Sequence, residues 1–249
     1  MDVLLKLDGL RKAFGPVVAV DGISLSVEAG EVLGFLGPNG AGKSTTMKMA
    51  SGFLEPDAGS ATICGHDVAT RSREARKVLG YLPEGAPAYG EMTSLGFLAF
   101  CASIRGLKGA AGKRAIDAAI ERAGLGPVAS RSIETLSKGY KRRVGIAQAI
   151  LHEPPVLILD EPTDGLDPNQ KYEVRRLIED MRPGRAIVIS THILEEVDAV
   201  CSRAIIIDRG RIVADGTAEG LRQLVPGKPA TSLDEAFRHV TRGEGAAHV

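Results

Sequence analysis

The chain has 249 residues and a formal net charge of zero, with 31 basic side chains against 31 acidic ones. Hydrophobic residues make up 44% and charged residues 25%, as in ordinary soluble globular proteins, and the balanced charge predicts no nucleic-acid partner. No apolar run approaches the roughly 20 residues that span a bilayer, the first ten residues lack a secretory signal, and three scattered cysteines match neither a zinc site nor a disulfide framework, so we expect a cytoplasmic protein.

The first eighty residues read mainly as short strands. Apolar and polar side chains alternate between turn signals over the first thirty residues, which is typical of antiparallel strands. A short apolar run then leads into a glycine-rich turn and a helical segment. The predicted elements are strands at residues 3–7, 17–20, 23–27 and 31–36, a helix at 43–52, and strands at 61–64 and 78–82.

The pattern changes near Thr93, after which apolar residues recur at helical spacing as far as Thr135. This stretch predicts a small helical subdomain inserted into an α/β core, with Phe97 and Phe100 packed inside it. Strands and helices then alternate, which indicates a mostly parallel sheet covered on both faces. The predicted elements are helices at 139–151, from about 168, at 193–200 and at 233–239, strands at 156–159, 186–189 and 205–207, and a hairpin edge at 212–216.

The segment from Gly37 to Ser44 fits the pattern G-x-x-x-x-G-K-[ST] of a phosphate-binding loop, between a predicted strand and a predicted helix. Its glycines allow successive N–H groups to point at phosphate oxygens, and the helix start adds a positive dipole end. Lys43 is expected to reach the β- and γ-phosphates, and Ser44 to ligate Mg²⁺. The loop alone leaves the reaction open, because kinases, GTPases and motor ATPases share it.

Two carboxylates, Asp160 and Glu161, follow the apolar strand at 156–159, on the edge where open α/β sheets bind ligands. Asp160 is expected in the Mg²⁺ shell, and Glu161 is placed to polarise an attacking water. The alternative is an ordinary strand end with solvated acids. His192 ends another predicted strand, where it could contact a γ-phosphate, although a lone histidine is more often structural.

Ser137 and Gly139 stand at a predicted helix start, and a helix N-terminus with a free hydroxyl can bind an anion. The loop from Gly37 to Ser44 already supplies the phosphate ligands of this chain. A second phosphate site therefore indicates a nucleotide held by another subunit, which predicts a dimer with ATP between its two halves.

Taken together, these segments resemble the ATP-binding subunit of an ABC transporter, from about Leu4 to Gly216. The resemblance identifies 37–44 as Walker A, 156–161 as Walker B, 136–140 as the signature, 165–167 as the D-loop and His192 as the switch histidine. Phe14 occupies the place of the aromatic residue that stacks on adenine. The implied ATP-binding residues are Phe14, Gly37, Pro38, Asn39, Gly40, Ala41, Gly42, Lys43, Ser44, Thr45, Ser137 and Gly139; the implied Mg²⁺ ligands are Ser44, Glu84 and Asp160; and the implied catalytic residues are Lys43, Glu161 and His192.

The chain departs from the usual family pattern at three positions. Lys138 and Tyr140 replace a glycine and the glutamine of the signature, and Glu84 stands where the Q-loop glutamine is commoner. These replacements resemble the branch that serves ABC-2-type exporters, including gliding-motility and lipo-oligosaccharide export systems, as does the segment 233–237. That branch tolerates them, so the resemblance implies an active ATPase.

The implied fold is α/β: a P-loop NTPase core with a mostly parallel sheet, an N-terminal antiparallel β subdomain and an inserted α-helical subdomain. We expect one ABC ATPase domain at 1–220, with the insert at about 85–152, followed by a short helix and tail at 221–249. The implied partners are a second ATP-binding subunit, identical in a homodimer or merely related to this one, and integral membrane permease subunits, at the cytoplasmic face of the inner or plasma membrane. The alternative is a soluble ABC ATPase without a membrane partner.

Overall fold

The structure is a computed structural model that describes residues 2–225 and 232–242. The strands are β1 (Val3–Phe14), β2 (Val17–Glu28), β3 (Val32–Leu36), β4 (Ala58–Ile63), β5 (His66–Asp67), β6 (Leu79–Leu82), β7 (Val156–Asp160), β8 (Ala186–Thr191), β9 (Arg203–Asp208) and β10 (Arg211–Gly216). The helices are α1 (Lys43–Ala50), α2 (Ser72–Lys77), α3 (Ser94–Ile104), α4 (Gly109–Arg122), α5 (Lys138–Ile150), α6 (Pro168–Met181), α7 (Leu194–Val200), α8 (Ala218–Arg222) and α9 (Leu233–Arg242).

The N-terminal sheet is antiparallel, with strands in the order β2-β1-β4-β5. Alternate side chains of β1, those of Leu5, Leu7 and Leu10, are buried. The sequence predicted two strands at 17–20 and 23–27, but β2 is continuous. Both of its halves pair with β1, so Gly22, at φ +78°, is accommodated inside the strand while the pairing register shifts nearby.

The second sheet, as far as the chain is described, follows the order β10-β9-β3-β8-β7-β6. Its strands are parallel except for β10, which forms a hairpin with β9 as predicted. Every residue of β3, β7 and β8 is buried, which is why these strands read as continuous apolar runs. Because these three strands are neighbours and parallel, their carboxyl ends lie together at one edge of the sheet.

The helical insert consists of α3, α4 and α5, whose apolar faces share a core that is separate from those of the sheets. Phe97 is buried in this core, as predicted. The prediction for Phe100 was wrong: its ring is exposed and contacts Tyr89 edge to face, with centroids 5.6 Å apart. It lies three residues along α3 from Phe97, an angle of about 300°, at the margin of the buried face.

The predicted α/β fold, with its antiparallel subdomain, mostly parallel sheet and helical insert, is confirmed. After β10 the chain forms α8, which the sequence did not predict, and α9, which it did. Both pack against the edge of the large sheet through Leu221 and Leu233. The glycine- and alanine-rich tail falls outside the described residues. Over the described residues, no helix has both the length and the apolar character needed to cross a membrane.

Candidate nucleotide site

The loop between β3 and α1 requires glycine at two positions. A β-carbon at Gly37 would lie 2.5 Å from the carbonyl oxygen of Ile207, and one at Gly42 would lie 2.3 Å from that of Ala19. Gly42 also has φ +105°, a conformation that other residues rarely adopt. No side chain caps the start of α1, and its first turn carries no acid. The loop is therefore shaped for an anion at the helix N-terminus.

Lys43 lies folded along this loop, where its ammonium donates hydrogen bonds to two loop carbonyls at 2.8 and 3.1 Å. The side chain is buried, and burial lowers the pKa of Lys43 below its ordinary value. The negative charges of Glu161, Asp160 and Glu84 oppose that shift. A cation is thus held between the loop and the acids that end β7.

Asp160 provides the strongest evidence for a cation-binding site. It is 0% exposed, and its Oδ1 accepts hydrogen bonds from the hydroxyls of Ser190 and Ser44, the second at 3.4 Å. Its Oδ2 is buried without a hydrogen-bond partner among the described residues. A buried carboxylate oxygen left unpaired is costly, and carboxylate and hydroxyl oxygens are the ligands that Mg²⁺ prefers. The residues present therefore fit a magnesium ion between Ser44 and Asp160.

Glu161 follows in a left-handed backbone conformation, with φ +49°. Its amide donates to both the carbonyl and the hydroxyl oxygen of Ser190, each at 3.1 Å. Ser190 thus fixes both acids of the pair, a role that sequence reading missed. The signal was present, since Ser190 is the β8 residue in register with Asp160 once the two strands are paired.

His192 lies beside Glu161, with its Nδ1 3.1 Å from the Oε1 of the glutamate. At that distance a protonated Nδ1 donates to the carboxylate. Thr191, just before it, donates to the buried carboxylate of Glu196 at 2.7 Å and accepts from the amide of Ile193 at 3.0 Å. These bonds tie the end of β8 to the start of α7, which holds His192 in place.

Other predicted residues lie farther from these acids. Phe14 is 52% exposed at the end of β1, with the ammonium of Lys12 6.0 Å from its ring centre. Glu84 is exposed after β6 and acts on Lys43 only through its charge, with no hydrogen bond seen in the described part of the chain. The adenine-stacking role of Phe14 and the role of Glu84 as a Mg²⁺ ligand remain predictions.

Ser137 and Gly139 form the start of α5. The hydroxyl of Ser137 caps the helix by accepting from the amide of Tyr140 at 3.4 Å. A β-carbon at Gly139 would lie 2.3 Å from the Oε1 of Gln170, so the end of that side chain packs directly against the Gly139 backbone. Across the described residues, no hydrogen bond joins Ser137 or Gly139 to the loop 37–44 of the same chain.

Comparison with known proteins agrees with this geometry. The family model described as ABC transporter matches residues 20–164. The probable multidrug ABC transporter ATP-binding protein YbhF of Escherichia coli is 36% identical over 239 residues, which cover 95% of this chain and only 41% of YbhF. The Nod factor export ATP-binding protein I of Burkholderia lata is 38% identical over 213 residues, covering 85% of this chain and 70% of that protein.

A solved structure of an ATP-binding subunit of an ABC transporter superposes with a TM-score of 0.86 at 32% identity, over 95% of this chain and 99% of that one. These findings confirm the predicted family and the prediction of an ABC-type ATPase domain. With a family model that matches more than half of its length, the chain belongs to the ABC transporter family and is an ATP-binding domain of that family.

Proposed function

We propose that this protein is the ATP-hydrolysing subunit of an ABC-2-type exporter. In this role it binds ATP with Mg²⁺, pairs with a second ATP-binding subunit, and drives membrane permease subunits from the cytoplasmic face of the membrane. The observation that carries the proposal is the buried carboxylate of Asp160, whose Oδ1 accepts from the Ser44 hydroxyl beside the phosphate loop while its Oδ2 has no hydrogen-bond partner among the described residues. The names of two relatives, a multidrug transporter protein and a Nod factor export protein, favour export.

The chain's own groups divide the work of hydrolysis. The loop amides and Lys43 bind and orient the phosphates, while Ser44 and Asp160 would hold Mg²⁺, which would offset the phosphate charge. Glu161 accepts a proton from the attacking water, and the contact with His192 keeps its carboxylate oriented. The two hydrogen bonds that the Glu161 amide donates to Ser190 fix the backbone of this base next to the proposed metal ligand Asp160.

A second subunit is needed to complete the site. The start of α5 carries the Ser137 hydroxyl and helix amides that bind anions, yet it makes no hydrogen bond to the phosphate loop of its own chain in the described residues. In the proposed dimer, Ser137 and Gly139 of each subunit close on the γ-phosphate of the nucleotide bound by the other.

A groove of about 880 Å³ between the core and the helical insert is the proposed docking surface for the permease. Phe53 and Ile104, at 77% and 70% exposed, are large apolar residues in its lining. The cationic lining residues are Arg73, Arg76, Lys77 and Arg105, and no acid lines the groove within the described residues. The complementary occupant is a short permease segment that presents apolar and acidic side chains.

Glu161→Gln tests the assigned base. The amide cannot accept the proton, so hydrolysis should fall at least about a hundredfold while ATP-bound dimers persist. Phosphate release and light scattering with ATP measure the two effects, and Glu195→Gln, an exposed acid of the same region, is the control. Full activity in Glu161→Gln would show that another group is the base.

The alternative function, a soluble ABC ATPase without a membrane partner, predicts a different distribution in the cell. If the protein is an exporter subunit, we expect it to fractionate with membranes. Ile104→Asp should release it, because the new carboxylate in the groove would repel the acidic side chains of the permease segment. Leu224→Asp, at an exposed apolar residue elsewhere, is the matched control. A wild-type protein found entirely in the soluble fraction would favour the alternative.

A further inference from the structure

Lys138, which replaces a glycine of the usual signature, contacts the loop that follows the acid pair. Its Nζ lies 2.9 Å from the Oδ2 of Asp164. To reach it, the side chain passes over Gly165, where a β-carbon would lie 2.1 Å from Nζ and 2.7 Å from Cε. Gly165 also has φ +67°, so the turn itself favours glycine. The end of the Lys138 side chain therefore lies directly over the Gly165 backbone.

Asp164 is in turn a close neighbour of the proposed base. Ligand atoms of Asp164, Glu161 and His192 all lie within 4.8 Å of one another. Two carboxylates at this distance repel, and each can attract the histidine. Contact with Lys138 draws Asp164 towards α5 and holds the pKa of its carboxyl below the usual value. His192 is then left to pair with Glu161, as the 3.1 Å contact shows.

We propose that Lys138 is a positioning residue for hydrolysis, which holds Asp164 against the start of α5 so that His192 stays paired with Glu161. This inference rests on the proposed hydrolysis by Glu161. Without the lysine, Asp164 swings towards His192 and competes with Glu161 for it. The phosphate loop is untouched by this change, so the effect falls on turnover and not on ATP binding.

The ion pair contributes little to stability, because both side chains are partly exposed and such pairs are worth about 0–1 kcal/mol. Lys138→Met should therefore fold like the wild type. Lys141→Met is the matched control, since it removes a lysine from the same turn of α5 for which no ion pair is seen in the described residues. Lys138→Arg keeps the charge and reach.

Kinetics on these variants tests the inference. We expect Lys138→Met to lower kcat about tenfold, with the KM for ATP changed less than about twofold. This pattern is typical when the lost interaction stabilises the transition state but not the bound substrate. Lys138→Arg should recover most of the rate, and Lys141→Met should keep it. Asp164→Asn in the Lys138→Met background should restore most of the lost rate, because the competing carboxylate is gone. Equal rates in Lys138→Met and Lys141→Met, or a double variant that is no faster than Lys138→Met, would overturn the inference.

A second measurement separates this inference from the proposed function. In histidine-labelled protein, the ring signal of His192, assigned with His192→Gln, should move in Lys138→Met and stay in place in Lys141→Met. An unmoved signal refutes the positioning role whatever the rate of hydrolysis. A wild-type protein without ATPase activity refutes the proposed function, while the histidine signal still reports whether Lys138 sets the contact.

Discussion

At the residue scale, the acid pair divides two tasks between adjacent carboxylates. Asp160 is fully buried, and its charge is balanced only partly by hydroxyl donors. Glu161 turns out of the strand in a left-handed conformation and faces His192. Left-handed backbone costs a non-glycine residue roughly 1–3 kcal/mol, and such residues concentrate at functional sites. Two neighbouring acids in different surroundings can serve as a metal ligand and as a base.

The unpaired oxygen of Asp160 leads to a prediction about magnesium. In Asp160→Asn the charge that would hold the cation is gone, so Mg²⁺ with ATP should stabilise the variant far less than the wild type. For ligand at a hundred times its Kd, the wild-type gain is about 2.7 kcal/mol, or roughly 5–10 °C in Tm. Thermal unfolding with ATP, in Mg²⁺ or in EDTA, measures this difference.

Asp208→Asn is the control, because Asp208 also ends a parallel strand of this sheet. It should keep the full shift with Mg²⁺. A shift in Asp160→Asn as large as that of the wild type would contradict the assigned metal ligand. In EDTA, Asp160→Asn should be at least as stable as the wild type, because a buried charge has been removed.

At the element scale, most of the fold could be predicted because periodicity and turn residues agree. The buried strands β3, β7 and β8 are largely apolar, the glycine loop follows β3, and the acid pair lies at the end of β7. The local sequence pattern could not predict features that depend on which strands pair and in which register. The continuity of β2 past Gly22 and the place of Ser190 opposite Asp160 both depend on strand register. The contact of Lys138 with Asp164 joins residues that are 26 positions apart.

The start of α5 carries a prediction about pairing. Ser137→Phe places a ring where the partner's nucleotide is expected, so ATP-dependent dimers should be lost while each chain still binds ATP. Both Ser137→Phe and Ser137→Ala remove the helix cap, which lowers stability by about 1 kcal/mol. The two variants therefore differ in the steric block that the phenylalanine ring introduces. Light scattering in the Glu161→Gln background measures dimers. If Ser137→Phe pairs like Ser137→Ala in this background, and turns over ATP like Ser137→Ala where Glu161 is intact, the start of α5 does not face a nucleotide.

At the scale of the whole molecule, the insert and the core meet at a polar joint beneath the proposed docking groove. The guanidinium of Arg105, after α3, donates to the carbonyl of Arg76 at 3.0 Å and lies 2.8 Å from the Nε2 of His152. His152, after α5, also lies 3.1 Å from the carbonyl of Leu79 in β6. These contacts join the insert to α2 and β6 of the core.

This joint predicts a pH dependence of stability. Burial, and then the charge of Arg105, lower the pKa of His152 from its ordinary 6.5 to about 4. Between about pH 6.5 and 4, the unfolded chain therefore binds a proton at His152 and the folded chain does not. The stability due to neutral His152 is fully present above pH 6.5 and is lost as the pH falls from about 6.5 to about 4. Between pH 7 and 5 the loss, discounted for partial exposure, is about 1 kcal/mol.

His152→Gln keeps a group that can donate to the Leu79 carbonyl but does not titrate. Denaturant midpoints at pH 7 and pH 5 should therefore differ less for this variant than for the wild type. His66→Gln, in the N-terminal sheet away from the joint, controls for the loss of a histidine and should keep the wild-type difference. If His152→Gln loses as much stability between pH 7 and 5 as the wild type, the histidine is not held neutral, and the joint is more open to water than its packing indicates.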